Sequence, residues 1–427
     1  MKRAVVRMRQ GGVLLVAGGL LLGTPSSAAA GGYDLPTTYP ARHVGMGGTA
    51  VGFVSNPSAV VHNPAGLAAV PRAALLAGPS LMLGRTRGAP EADVQAESER
   101  AVAPLFFVGG AFRITEWLAA GLAVAPIAAA GASYEYDGGS GPTEDRTSAM
   151  FLEVSPALAV ELPHRVRIGL GYRISIARMH RHKESQGASG PTFDIRPRGV
   201  DAAGFRAGLQ WEASSSTEDR PLEERRNLRI GVSYRHRVAV DIAAARGVAL
   251  GQPIAQVESR LVLPSRLVFG IRGDLGRVGA AVDLEYGFHS QNETTVLRAE
   301  LNGSPIEVPN PFRWRNAATL RLGLEGRLLE GGPLMLRGGY VFDGRTVNAA
   351  YPTPFGPPAA PTHTLTAGGG WDFGPVQVHC AYAFRWGETT ILQDDLDGRG
   401  PCPLCGHAGI YGVRMHGLFA DVSYDLR

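Results

Sequence analysis

The sequence predicts an all-β fold: a transmembrane antiparallel β-barrel of about 14 strands, preceded by a compact irregular segment. Three observations lead there. From about residue 73 onward, apolar and polar residues alternate in segment after segment. The apolar faces carry aromatics toward strand ends, and the links between segments alternate between short and long. An irregular stretch rich in Gly and Pro, residues 41–70, precedes the first strand.

Composition sets the frame. A chain of 427 residues usually means two or three soluble domains, but 57 glycines and 19% charged residues fit one large β-domain better. Beyond the N-terminus no apolar run is long enough to cross a membrane as a helix. The formal charge of +4 comes from dispersed arginines nearly matched by acids, which argues against a nucleic-acid partner.

Residues 1–30 read as a secretory signal peptide. Lys2, Arg3, Arg7 and Arg9 form the basic start, Val13 to Leu22 the apolar middle, and Ala28-Ala29-Ala30 the small-residue cleavage site. No Cys lies near the cut, so a lipoprotein route is not expected. The expected organisation is then signal peptide 1–30, an irregular N-terminal segment 31–72 and barrel 73–427, in the outer membrane of a Gram-negative-type bacterium. In the irregular segment, Gly45, Gly47 and Gly48 permit tight backbone, and Asn56-Pro57 and Asn63-Pro64 form turns.

The strands can be assigned face by face. Val166, Ile168, Leu170, Tyr172, Ile174 and Ile176 point one way, against Arg165, Arg167, Gly169, Gly171, Arg173 and Ser175. The same pattern recurs over Leu228–Val240, Val278–Phe288 and Leu418–Leu426. The charged and glycine-bearing faces suit a wet lumen, and an even strand number is what bacterial barrels require. Short turns are expected at Thr115-Glu116, Pro163-His164, Gly276, Glu330-Gly331-Gly332 and Gly374-Pro375. Long loops are expected at 87–100, 137–146, 182–191, 244–255, 292–311, 348–362 and 391–407. The charged link 214–227 breaks that order.

Gly45-Met46-Gly47-Gly48-Thr49-Ala50, Asn56-Pro57-Ser58-Ala59-Val60 and Asn63-Pro64-Ala65-Gly66-Leu67, in this order behind a signal peptide, resemble the start of the FadL-type outer-membrane transporters. That family comprises channels for long-chain fatty acids and aromatic hydrocarbons. Leu263-Pro264-Ser265-Arg266 and Leu336-Arg337-Gly338-Gly339-Tyr340 look like strands of the same family. The resemblance implies a 14-stranded barrel, an N-terminal hatch (plug) over residues 31–72 that carries Gly45, Gly47, Gly48 and Asn63-Pro64-Ala65 inside the lumen, capture of apolar ligands outside, and release sideways through a gap in the wall. The third strand, Leu118 to Tyr136, matches the strand that is kinked in the family. Its Pro126 lacks an amide donor, and its Ala and Gly residues fill little space. The alternative for this strand is simple packing against the hatch.

Other candidate chemistry is sparse. Cys380 sits on an apolar face beside Tyr382 and Phe384. Cys402 and Cys405 lie in the last long loop and can close a disulfide in an oxidising compartment, or bind metal together with His407, although a second ligand pair is missing. His180-Arg181-His182-Lys183 is a basic run where a strand meets an outer loop, either solvated or in contact with lipopolysaccharide. Lumen arginines, among them Arg167, Arg173, Arg229, Arg235, Arg321 and Arg337, can meet a substrate carboxylate or pair with acids across the lumen. No nucleophile elbow, zinc-protease helix or phosphate-binding loop is present, so neither an enzyme nor a cofactor is expected.

The sequence therefore predicts passive uptake of hydrophobic compounds by a monomeric barrel, partnered by outer-membrane lipid, lipopolysaccharide and, during biogenesis, the barrel-assembly machinery. The alternative is a barrel of the same fold serving as a structural or assembly partner; a soluble secreted β-protein is a third reading. One departure from the family stands out: the chain ends Tyr424-Asp425-Leu426-Arg427 rather than in an aromatic residue.

Overall fold

A computed structural model describes residues 40–215, 226–329 and 332–426. The expected signal peptide, residues 31–39, most of the charged link, Glu330, Gly331 and Arg427 lie outside the described residues.

Fourteen strands close one antiparallel ring. They are β1 (Ala73–Glu91), β2 (Ala101–Arg113), β3 (Leu118–Gly138), β4 (Gly141–Leu162), β5 (Val166–Ser185), β6 (Arg198–Ser215) and β7 (Arg226–Arg235). The second half comprises β8 (Arg266–Leu275), β9 (Val278–Gly287), β10 (Ala317–Arg327), β11 (Leu334–Asp343), β12 (Thr362–Asp372), β13 (Val376–Ile391) and β14 (Gly409–Leu426). Each pairs with the next, and β14 pairs with β1 from Ala73↔Leu426 to Arg87↔Gly412, so every strand has two neighbours.

The described residues hold twenty strand segments in all, more than the sequence leads one to expect. The additional ones lie at the end of the barrel opposite the tight turns. The strand expected to run on from Leu228 through Val240 ends at Arg235. The expected loop 292–311 is a β-hairpin, Thr294–Leu301 pairing with Ser304–Pro311, and the expected loop 244–255 is the tip of a longer one, Val238–Ala249 pairing with Gln252–Leu263. Their turns, Leu250-Gly251 and Asn302-Gly303, hold positive φ at both positions, as two-residue hairpins of this twist require. The expected loop at 137–146 is likewise absent, because β3 and β4 stay paired up to Gly138↔Gly141. The hairpins at Val238–Leu263 and Thr294–Pro311 still bury one apolar face, with Val238, Val240 and Ile242 in the first and Leu297 and Ala299 in the second, so alternation continues past the ring.

The outward face is a belt of exposed apolar residues, including Leu75, Leu158, Leu170, Leu284, Leu365 and Leu418. Such a surface belongs against lipid. The lumen is filled rather than open. The hatch, with α1 (Ala41–Gly45), α2 (Ala59–His62) and a 3-10 turn over Pro64–Ala69, is buried along most of its length. Val44, Met46, Val60, Leu67 and Val70 are fully shielded, each contributing about 1.5–3 kcal/mol relative to exposure. A second apolar cluster fills the lumen toward the long hairpins, around Phe151, Ile242, Leu263, Phe312 and Trp314.

Candidate functional site: hatch, apolar cavity and kinked wall

The hatch pairs part of its irregular backbone internally, as Gly48 N donates to His43 O (2.7 Å) and Val54 N to Ala50 O (2.8 Å), and the remaining buried groups need partners from outside it. The wall provides them. Asp283 Oδ2 accepts the amides of Ala50 (2.9 Å) and Val51 (3.1 Å), and Asp421 Oδ2 accepts that of Ala41 (2.5 Å). Thr366 Oγ1 accepts from Gly47 N and donates to Gly45 O. Asn63 caps the 3-10 turn by accepting from Ala65 N (3.2 Å), with Pro64 at the first position where no amide is needed. Its Nδ2 donates to Val51 O (2.8 Å) and to Leu209 O (3.0 Å) on β6. Gly47 and Gly48 have φ of +66° and +78°, and a Cβ on Gly47 would lie 2.6 Å from Leu322 O.

The wall glycines have a reason other than a wet lumen. Gly169 faces Gly208 across β5 and β6, Gly231 faces Gly270 across β7 and β8, and Gly323 faces Gly339 across β10 and β11. A Cβ on Gly169, Gly231 or Gly339 would stand 2.3, 2.2 or 2.2 Å from hatch backbone atoms. These glycines are seats for close backbone approach, not a solvated face.

The lumen arginines are held by acids. Glu325 contacts Arg42 of the hatch (3.1 Å), Arg272 (2.8 Å) and Arg337 (2.7 Å). Glu153 contacts Arg173 (2.7 Å) and Arg206 (2.5 Å), while Glu285 holds Arg321 (2.9 Å) and Arg266. Arg229 meets Asp274 and Arg167 meets Glu161. Within the hatch, burial and then the nearby His62 and Arg42 push His43 well below the ordinary imidazole range. Its neutral ring donates from Nδ1 to Thr49 O (2.9 Å).

Above the hatch lies an apolar cavity of about 110 Å³, lined among others by Met179, Phe193, Leu261, Phe312, Trp314 and Phe355. Its one lining cation, Arg181, pairs with Asp145 and stands 4.8 Å over the Phe355 ring. Ala130 of β3 and Ala149 of β4 complete one side. Here the wall changes. The pairing of β2 with β3 runs from Arg113↔Ala119 to Val108↔Val124 and ends there. Pro126 follows two residues later, at a bulge against β4 between Pro126 and Ala128. Residues 125–134 are buried on both faces, so β3 turns inward where alternation stops. Glu99 N rejoins Ser133 O (2.8 Å) near the outer end.

Cys402 and Cys405 are joined by a disulfide with Cα atoms 5.3 Å apart, which removes both thiols as metal ligands. Cys380 is exposed on the outward face. His180 and His182 sit on the outer extension of β5.

No family model matches the chain, and no curated protein sequence does. Solved structures do. A Pseudomonas aeruginosa FadL homologue superposes with a TM-score of 0.71 over 93% of this chain and 100% of that one, at 15% identity. The P. putida toluene transporter TodX gives 0.65 over 92% and 100%, at 13% identity. The Ralstonia pickettii toluene transporter TbuX gives 0.63 over 92% and 100%, at 15% identity. The chain has the FadL-type fold.

Within this FadL-type barrel, reasoning from the sequence singled out the hatch glycines, Asn63-Pro64-Ala65 and Pro126, but missed the cavity. Its walls come from distant strands and hairpins, and no local pattern links Met179 to Phe312 or Phe355. Asp283 and Asp421, which receive the hatch amides, were visible only as lumen-facing acids in alternating strands.

Proposed function

We propose that the chain is an outer-membrane channel for passive uptake of small apolar molecules, taken up in the cavity above the hatch and released sideways through the wall at β3. The observation that carries this reading is continuity. The apolar cluster that contains cavity residues Ala130, Ala149, Leu261, Phe312 and Trp314 also contains Ile127 and Ala128, beside Pro126 where the β2–β3 ladder has ended. A ligand leaving that way would pass between apolar side chains that are packed together here and would have to part, whereas the seated hatch blocks the straight route.

The ligand class follows from size and charge. A cavity of on the order of 150 Å³ holds a benzene ring, and this one, walled mainly by apolar side chains with Thr147, Ser259, Thr295, Asn310 and Thr353 among them, is of similar size. Arg181 already has a carboxylate partner, so nothing in the cavity calls for an anionic headgroup. Neutral hydrocarbons of about one ring fit better than a fatty acid, in keeping with the toluene transporters among the similar folds. Uptake of radiolabelled toluene and of oleate by cells with and without the protein tests this. Toluene uptake should rise with the protein and oleate uptake much less. If both stay at the background of cells lacking it, a structural or assembly role is the better account.

A further inference from the structure

At its outer end β5 leaves the ring contact with β6 and pairs with the short strand Phe193–Ile195, with His182 opposite Asp194. Alternation divides the side chains of this pair. Met179, Arg181, Phe193 and Ile195 line the apolar cavity, so His180, His182 and Asp194 share the opposite face. There His180 Nε2 lies 3.4 Å from Asp194 Oδ1, and one ligand atom from each of the three residues falls within 4.8 Å of the others. Two ligands about 2.0–2.1 Å from one tetrahedral zinc stand roughly 3.4 Å apart, so one edge of such a site is already formed.

We propose that His180, His182 and Asp194 bind a divalent transition-metal ion of the zinc class on the outer face of the cavity wall. Two imidazoles and a carboxylate suit zinc, copper or nickel and not the all-oxygen preference of calcium or magnesium. Glu184 Oε2, 3.7 Å from His182 Nε2, offers a second carboxylate. Arg196 holds Asp194 through two contacts, Nε to Oδ1 (3.2 Å) and Nη2 to Oδ2 (3.4 Å), with its own side chain 69% exposed. An ion bound at Asp194 would compete with this two-point pair, which solvent exposure of the guanidinium weakens. A bound ion would tie β5 to Phe193–Ile195, the two elements whose reverse sides wall the cavity. In the sequence His180 and His182 stand only in a basic run, because Asp194 reaches them through strand pairing.

Zinc chloride alone, titrated calorimetrically into the untagged full-length barrel in detergent, tests the site. The native chain should bind one equivalent at micromolar or tighter affinity. His180→Ala combined with Asp194→Asn should weaken binding at least tenfold, and Arg196→Ala should tighten it by removing the competing cation. Heat-modifiable gel migration confirms that each variant is a folded barrel. Equal affinity in the double variant and the native chain overturns the proposal, as does weaker binding by Arg196→Ala. The binding itself does not depend on the uptake reading; only its influence on the cavity does. Toluene uptake with and without zinc then separates the two, since a chain that binds zinc yet transports nothing removes the uptake reading and leaves the metal site standing.

Discussion

A Cβ on Gly208 would stand 1.9 Å from the Oδ1 of Asn63. The hatch turn and the β6 backbone are in contact at that point with no room for any side chain, and Asn63 uses the contact to donate to Leu209 O. Gly208→Val should therefore unseat the Asn63-Pro64-Ala65 turn while the outward face of β6 is unchanged. The expected outcome is a folded, heat-modifiable barrel with raised single-channel conductance for small ions. Native conductance would mean that the turn is not seated by this contact.

Asp283 bears on the same claim through hydrogen bonding. Asp283→Ala removes the acceptor for two buried amides, at about 1–3 kcal/mol for each group left unpaired. Ala50 and Val51 should exchange their amide protons tenfold faster or more, read by hydrogen–deuterium exchange, with barrel strands such as β13 unaffected.

Glu325 gathers Arg42, Arg272 and Arg337, so it ties the hatch to two wall strands. Glu325→Gln leaves three guanidinium groups without their shared carboxylate. Breaking a buried ion group by removing one partner costs about 3–5 kcal/mol. The temperature at which the barrel loses its heat-modifiable migration should fall. Replacing an exposed partner such as Glu307, which faces Arg298 in an outer hairpin, should leave it within error.

Removing residues 41–70 outright should give a barrel that leaks small polar solutes, because the described hatch segment fills the lumen between Asp283 and Asp421. A tight truncated barrel would place the block elsewhere.

The strands were legible where lipid meets one face. Ile168, Leu170 and Tyr172 are exposed while Gly169, Gly171 and Arg173 are buried, as alternation alone indicates. Beyond the ring, the hairpin Val238–Leu263 reads as a barrel strand running on from Leu228 and a loop at 244–255, because Val238 and Val240 keep the alternation, while Thr294–Pro311 reads as a loop although Asn302-Gly303 is a strong hairpin turn. The hatch announced itself through Gly47, Gly48 and Asn63-Pro64. The matching glycines of the wall did not, because nothing local shows that Gly231 faces Gly270 or that Val51 rests on them. Pro126 could be picked out for its missing amide, whereas the end of the β2–β3 ladder at Val108↔Val124 depends on where two separate strands diverge.

Lateral release is tested most directly at Pro126. Radiolabelled toluene uptake should be measured in cells carrying the native chain, Pro126→Val, or no barrel, at matched levels of folded protein. The substitution restores an amide donor at the bulge and favours a regular strand there. Native uptake well above the empty cells, with Pro126→Val reduced severalfold toward them, is the predicted result. Uptake by Pro126→Val equal to the native rate would contradict release through this wall.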